Sequence, residues 1–253
     1  LGNIVKTRAI ILNAIRWKES SKILTVYSEH LGKIKLIARS AYRNNSPFAG
    51  KIEALFLVDL IIDTKESRTL NVIKEVDIVD TAAVLRLNMS VYPYSLALME
   101  IINQVLDEAQ PDRVFFNFIV EMQNALTTIE KPQNVLIYFL LKLSSYLGFK
   151  PKLDKCFSGD FKQCAPKVCL SMSDGNISCH VCNKSVMSII TLKKEQFFYL
   201  QKIQKTNYKM VKDIKDSRDD FFEIIQILLR YANFHIDREL KTDSLKLLNS
   251  SVR

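Results

Sequence analysis

Along the first eighty residues, apolar side chains come in short runs of Ile, Val and Leu, each bounded by polar or turn residues. This pattern predicts five strands, over residues 8–16, 22–28, 33–39, 55–63 and 70–78. Five short strands with one longer connection after the third suit a small Greek-key barrel such as an OB-fold, with an SH3-like barrel as the competing plan. After Thr81 the period changes. Apolar residues three and four apart predict helices over 91–109 and 113–129. Pro111 and Pro132 stand where first helical turns begin, and Gly148 follows an apolar helix over 134–147 as its C-terminal stop. Residues 151–188 read as irregular and Cys-bearing, followed by two more helices over 193–205 and 217–237. The expected fold class is therefore multidomain β + α. A small N-terminal barrel over 1–80 precedes an all-helical domain over 81–253, which is interrupted by a Cys-rich insertion at about 153–188.

Charge sharpens this picture. Residues 1–52 hold ten Lys and Arg against two Glu, so +8 of the chain's formal net charge of +9 lies in its opening fifth. Such an asymmetry marks a surface built to sit beside a polyanion. The third strand shows how: Ile34, Leu36 and Ala38 alternate toward a core, while Lys33, Lys35 and Arg39 face the other way with Ile37. Arg43 and Lys51 flank the loop that follows. A row of cations on a barrel face is how OB-folds track a phosphate backbone. The bland alternative is a solvated strand face whose cations only oppose aggregation, which suffices for any single Lys or Arg. Trp17, the chain's one Trp, lies beside Arg16 and Lys18, where a base could stack on it or it could pack over the barrel rim. Tyr27 and Tyr42 pose the same question more weakly. An anionic membrane surface is a poorer match, because the segment has no amphipathic helix.

Other chemistries are less well supported. With six Gly in 253 residues, the chain has neither GxGxxG nor GxxxxGK[ST]. No apolar run is long enough to span a bilayer, and no signal-peptide pattern is present, so a cytoplasmic protein is expected. His30, His180 and His235 stand in no catalytic motif, and an enzyme is not expected. The five Cys all fall between Cys156 and Cys182. Cys179 and Cys182 form a Cys-x2-Cys knuckle, and Cys164 and Cys169 a Cys-x4-Cys pair. Two such pairs can close a tetrahedral zinc site of four thiolates, structural in role, with Cys156 competing for membership. Free thiols in a cytosolic loop are the alternative.

Several blocks together resemble a known family. Glu19-Ser20-Ser21-Lys22-Ile23-Leu24, Tyr27-Ser28-Glu29-His30-Leu31-Gly32-Lys33, Ala38-Arg39-Ser40-Ala41-Tyr42-Arg43 and Ser46-Pro47-Phe48-Ala49-Gly50 resemble the N-terminal domain of the RecO family of bacterial recombination mediators. The resemblance continues in Leu147-Gly148-Phe149, Leu153-Asp154-Lys155-Cys156 and Ser173-Asp174-Gly175, and ends in Arg230-Tyr231, His235 and Arg238-Glu239-Leu240-Lys241. It implies an OB-fold, a helical domain and a zinc-binding insertion. The implied activity is RecF-pathway DNA repair and recombination. That means binding single- and double-stranded DNA, annealing complementary strands coated by single-strand-binding protein, and assisting RecA loading. The implied partners are RecR and the acidic tail of single-strand-binding protein, with RecF and RecA beyond them, in the bacterial cytoplasm at the nucleoid. At the metal the chain departs from the family's two Cys-x2-Cys pairs, since Gly159 stands where a partner of Cys156 is expected.

The expected mechanism is electrostatic. Lys33, Lys35, Arg39 and Arg43 contact phosphates without reading sequence, so changing Lys35 and Arg39 to Ala should flatten the salt dependence of binding. The rival readings are an RNA-binding OB-fold protein, a protein adaptor with incidental DNA binding, and a zinc-dependent enzyme. The adaptor reading places a groove near Arg230, Arg238 and Lys241, with Phe234 and Leu240 offering apolar contact.

Overall fold

A computed structural model of the protein describes residues 3–65, 70–154, 167–179, 188–211, 213–214 and 220–250. The chain divides into two compact units, Leu1–Thr127 with Lys241–Arg253, and Thr128–Leu240.

In the first unit β1 (Asn3–Trp17), β2 (Ser21–Ser28), β3 (Gly32–Ala38), β4 (Leu57–Thr64) and β5 (Asn71–Asp80) close a barrel in the order β1-β2-β3-β5-β4. All five expected strands are present. β1 is longer than its alternation suggested because it pairs twice, with β4 from Asn3 to Ile10 and with β2 from Ala9 to Trp17. Its register breaks between Ile11 and Asn13. An extra residue of this kind bends a strand and raises its twist, which lets one strand turn a barrel corner. β3 and β5 pair in parallel through Leu36–Asn71 and Ile37–Val72. The interior is filled by Ile11, Leu24, Val26, Leu36, Val58 and Leu60, joined by Phe48, Ile52 and Phe56 from the loop between β3 and β4. Burying a side chain of this size is worth about 1.5–3 kcal/mol. These three residues therefore hold the long loop against the barrel.

Three helices belong to the same unit: α1 (Ala83–Leu87), α2 (Tyr92–Val105) and α3 (Arg113–Thr127). Asp112 starts α3, its Oδ1 accepting the Phe115 N–H at 2.9 Å. Tyr27 is buried against this helix, its ring 6.0 Å from that of Phe115 and 6.3 Å from that of Phe116. It serves packing and is not open to a base, contrary to one reading of the sequence. The C-terminal segment returns to α2. Gln104 and Lys241 exchange two hydrogen bonds, at 2.8 and 2.9 Å. The Ser244 hydroxyl donates to Glu100 Oε2 at 2.8 Å, ahead of α8 (Lys246–Ser250).

The second unit is built on α4 (Pro132–Tyr146), buried continuously from Asn134 to Leu141. Such a helix is apolar all round because neighbours cover it on every side, here α5 (Lys194–Lys205), α6 (Tyr208–Val211) and α7 (Phe221–Ile236). Its buried polar residues are satisfied: the Asn134 amide donates to the Ile214 carbonyl at 3.1 Å and accepts the Tyr199 hydroxyl at 2.5 Å, and the Ser144 hydroxyl donates to the Leu140 carbonyl at 2.8 Å. Gly148, at φ +91°, follows α4 where a stop was expected. The unit is not all helix, however. β6 (Lys167–Ser171), β7 (Ile177–Cys179) and β8 (Ile189–Lys193) form a sheet in the order β7-β6-β8, the first two strands within the region read as irregular and the third just after it, ending at the residue read as the start of a helix. Strands of three to five residues are too short for alternation to announce them, and Val168, Cys169 and Leu170 are buried in succession.

Candidate nucleic-acid interface

The β1–β2 turn and the start of the β3–β4 loop meet at one end of the barrel. Trp17 pairs with Ser21 across the turn, and Lys18 at φ +52° carries the chain around it. Across from the turn, the Tyr42 N–H donates to the Ser20 carbonyl at 2.9 Å. Arg16 links the two loops. Its Nη2 donates to the Glu19 carbonyl at 3.1 Å, and its guanidinium carbon lies 5.1 Å from the centre of the Tyr42 ring. The Lys22 ammonium stands 5.9 Å from the same ring. Lys22 is buried, and Glu53 Oε2 neutralises it at 2.7 Å. Arg39 follows directly on Ala38, the register partner of Lys22. Arg16, Lys18, Arg39 and Arg43 are exposed, and Trp17 and Tyr42 keep 43% and 47% of their surface open to solvent. The result is a cationic rim with two accessible aromatic rings. Such a surface holds phosphates by charge and bases by stacking.

The cations of β3 are arranged differently. The alternation is as expected, with Leu36 and Ala38 buried and Lys35 and Arg39 exposed. Yet Lys33, Lys35 and Arg39 do not form one open row. The Lys33 ammonium donates to the Asn103 carbonyl at 2.9 Å and to the Leu106 carbonyl. It thus satisfies the C-terminal end of α2, where the helix presents unpaired carbonyls and partial negative charge. Lys35 pairs with Glu108 Oε1 at 2.7 Å. That hydrogen bond, with the charges of Lys35 and Lys33, holds the Glu108 carboxyl below its usual range. The segment carrying Glu108 is seated against β3. The Ala109 N–H donates to the Lys33 carbonyl at 2.9 Å. Gly32, at φ +68°, sits so close that an added Cβ would lie 2.4–2.6 Å from the Gln110 backbone. Lys51 points elsewhere, its ammonium 3.5 Å from the Val76 carbonyl.

Of the eight residues predicted for binding, the structure therefore gathers Arg16, Trp17, Lys18, Arg39 and Arg43. It sets Lys33, Lys35 and Lys51 apart. Tyr42 and Lys22 complete the cluster. Tyr42 is the weaker stacking candidate already legible in the sequence, while Lys22 reads only as a strand residue. Arg8, also in the basic segment, is spent on a two-point pair with Asp59 at 2.9 and 3.1 Å. Arg8 holds the Asp59 carboxyl below its usual range, chiefly through that hydrogen bond.

The metal candidates are placed only in part. Cys156, Cys164 and Cys182 lie outside the described residues, as does His180. Cys179 ends β7 opposite Val168. Cys169 is 2% exposed in β6, the middle strand, opposite Ser178 on one side and Thr191 on the other. It is one register position out of step with Cys179. Among the described residues no three metal-ligating side chains gather. On α7, Arg230 and Phe234 are exposed one turn apart, but Leu240 is buried and offers no apolar contact. No helix among the described residues is long and apolar enough to cross a membrane.

Two family models match the chain: Recombination protein O N terminal over residues 3–82, and Recombination protein O C terminal over residues 86–244. The DNA repair protein RecO of Chlorobium limicola is 22% identical over 254 residues, covering 97% of each chain. That of Caldanaerobacter subterraneus subsp. tengcongensis is 24% identical over 242 residues, 94% of this chain and 95% of the relative. That of Prosthecochloris aestuarii is 31% identical over 154 residues, 60% of this chain and 58% of the relative.

Proposed function

The chain belongs to the RecO family of DNA repair proteins, and from that premise we propose that it binds single- and double-stranded DNA through the Arg16–Tyr42 end of an OB-fold barrel and anneals complementary strands. The observation that carries this reading is the cluster itself. Four exposed cations and two half-open aromatic rings come from the end of the β1–β2 hairpin and the β3–β4 loop, which are hydrogen-bonded together, the loop being anchored in the core by Phe48, Ile52 and Phe56. Phosphates would bind Arg16, Lys18, Arg39 and Arg43, and bases would stack on Trp17. Phosphates and π-faces carry no sequence information, so binding is independent of sequence. Every phosphate neutralised releases counterions, so affinity falls steeply with salt. Annealing follows from the same surface, because cations between two strands offset their mutual repulsion.

The protein acts without catalysing a covalent step. It works as a mediator in RecF-pathway recombination, with RecR and the tail of single-strand-binding protein as partners, and promotes the loading of RecA. Structural zinc fits the donor chemistry of the Cys-rich segment, with Cys179 and Cys182 and two thiolates from Cys156, Cys164 and Cys169. We favour Cys156 and Cys164, since Cys169 is buried in a central strand. When bound, the metal would crosslink a segment with few apolar residues of its own.

Salt-titrated fluorescence anisotropy tests the DNA reading. Changing Arg39 and Arg43 together to Ala should weaken binding to all sequences alike and flatten the salt slope by roughly 1.4 on single strands, at about 0.7 per phosphate. An unchanged slope would remove this end of the barrel from the interface. Annealing of complementary strands precoated with single-strand-binding protein tests the mediator role, and binding without annealing would overturn it.

A further inference from the structure

We propose that Glu108 acts as a built-in phosphate substitute that withholds Lys35 from nucleic acid, and so ends the binding footprint at the Arg39 end of β3. The inference rests on the nucleic-acid reading above and adds a determinant of its extent. Three observations carry it. First, Glu108 Oε1 lies 2.7 Å from the Lys35 ammonium, the distance at which a backbone phosphate oxygen would bind. Second, the carboxylate is delivered by a seated segment and does not arrive by chance. The Ala109 N–H to Lys33 carbonyl bond, the contact of Gly32 with the Gln110 backbone, and the hold of Lys33 on the end of α2 place it beside β3. Third, both partners are half open to solvent, at 51% and 60%. An exposed pair of this kind is weak enough for a phosphate to compete with. Glu108 therefore reduces what Lys35 contributes without abolishing it. Lys33, turned toward the helix end, lies beyond the limit that Glu108 sets.

A double-mutant cycle on full-length protein tests this, using a fluorescent oligothymidylate, anisotropy and a salt titration. Glu108→Gln should tighten binding about two- to fivefold at low salt and steepen the salt slope by about 0.7, one single-strand phosphate. Lys35→Ala alone should change affinity less than about twofold. In the Glu108→Gln background, the same Lys35→Ala change should cancel the whole gain. Asp107→Asn is the control for long-range charge, because Asp107 is adjacent to Glu108 but is not the partner of Lys35. It should leave the slope unchanged. Equal effects of Asp107→Asn and Glu108→Gln, or a Lys35→Ala effect that is the same in both backgrounds, would overturn the inference while leaving the nucleic-acid reading intact. Wild-type protein that does not bind the oligonucleotide would instead overturn the reading on which it rests.

Discussion

Arg16 and Tyr42 meet across two loops, the guanidinium carbon 5.1 Å from the centre of the ring. The contact ties the β1–β2 turn to the β3–β4 loop and gathers cations and aromatic surface at one end of the barrel. A cation over an exposed ring is worth only about 0.5–1 kcal/mol, so its value lies more in placement than in stability. Trp17 and Arg39 then contribute in separable ways. Trp17→Ala should cost single-strand affinity about 1–3 kcal/mol, the loss of one stacked base, with the salt slope unchanged. Arg39→Ala should lower both affinity and slope. Anisotropy at four salt concentrations separates the two. A Trp17→Ala slope that falls as far as that of Arg39→Ala would mean the indole is not a stacking platform.

Lys33 is expected to act on stability. Its ammonium satisfies carbonyls at the end of α2, so Lys33→Met should destabilise the fold by about 1–2 kcal/mol. DNA affinity should stay within about twofold. Urea denaturation beside anisotropy makes the comparison. A large affinity loss at unchanged stability would return Lys33 to the interface.

Gly32 should tolerate no side chain. Ala there would combine a left-handed φ of +68° with a Cβ 2.4–2.6 Å from the Gln110 backbone. Backbone cannot move aside as a flexible side chain can. Gly32→Ala should destabilise by about 3 kcal/mol or more, whereas Gly50→Ala, with nothing within 4 Å of its Cβ and φ +69°, bears the conformational strain alone. Thermal melts of the two variants should differ accordingly.

His235 should make the protein acid-sensitive. Its ring stacks on Phe149 at 4.5 Å, and its buried Nε2 has no hydrogen-bond partner among the described residues. Burial pushes its pKa below 6.5, against a raising contribution from a hydrogen bond with the Met172 backbone. Well above pH 6.5 the ring is neutral whether folded or unfolded. As the pH falls from there, the unfolded chain takes up the proton first, and stability is lost until the depressed folded value is passed. His235→Phe keeps an aromatic stack without the titration. Its melting temperature should fall less between pH 7.5 and 5.5 than that of the wild type, and parallel falls would refute the assignment.

Zinc content should discriminate among the cysteines. Cys169→Val should retain the metal measured by atomic absorption, whereas Cys182→Ser should lower it. Equal loss from both would place Cys169 in the ligand set.

Much of the barrel was legible in the chain because strands carry a period of two, and a period needs only neighbours in sequence. The five strands, the apolar face of Lys33–Ala38, the amphipathic helices and the stop at Gly148 all follow from local pattern and local sterics. The short β6–β8 sheet did not, since three to five residues are too few to establish a period. The fate of the cations was also invisible. Lys33, Lys35 and Arg39 are equivalent by alternation, yet one satisfies the end of α2, one pairs with Glu108 and one faces solvent. Their partners lie about seventy residues away in the chain, and no local rule reaches that far. The sequence by itself determined that one end of the molecule would be basic and that a barrel would carry it. Only tertiary packing decided which charges remain available, because a charge is spent or kept according to what the fold brings within hydrogen-bonding distance.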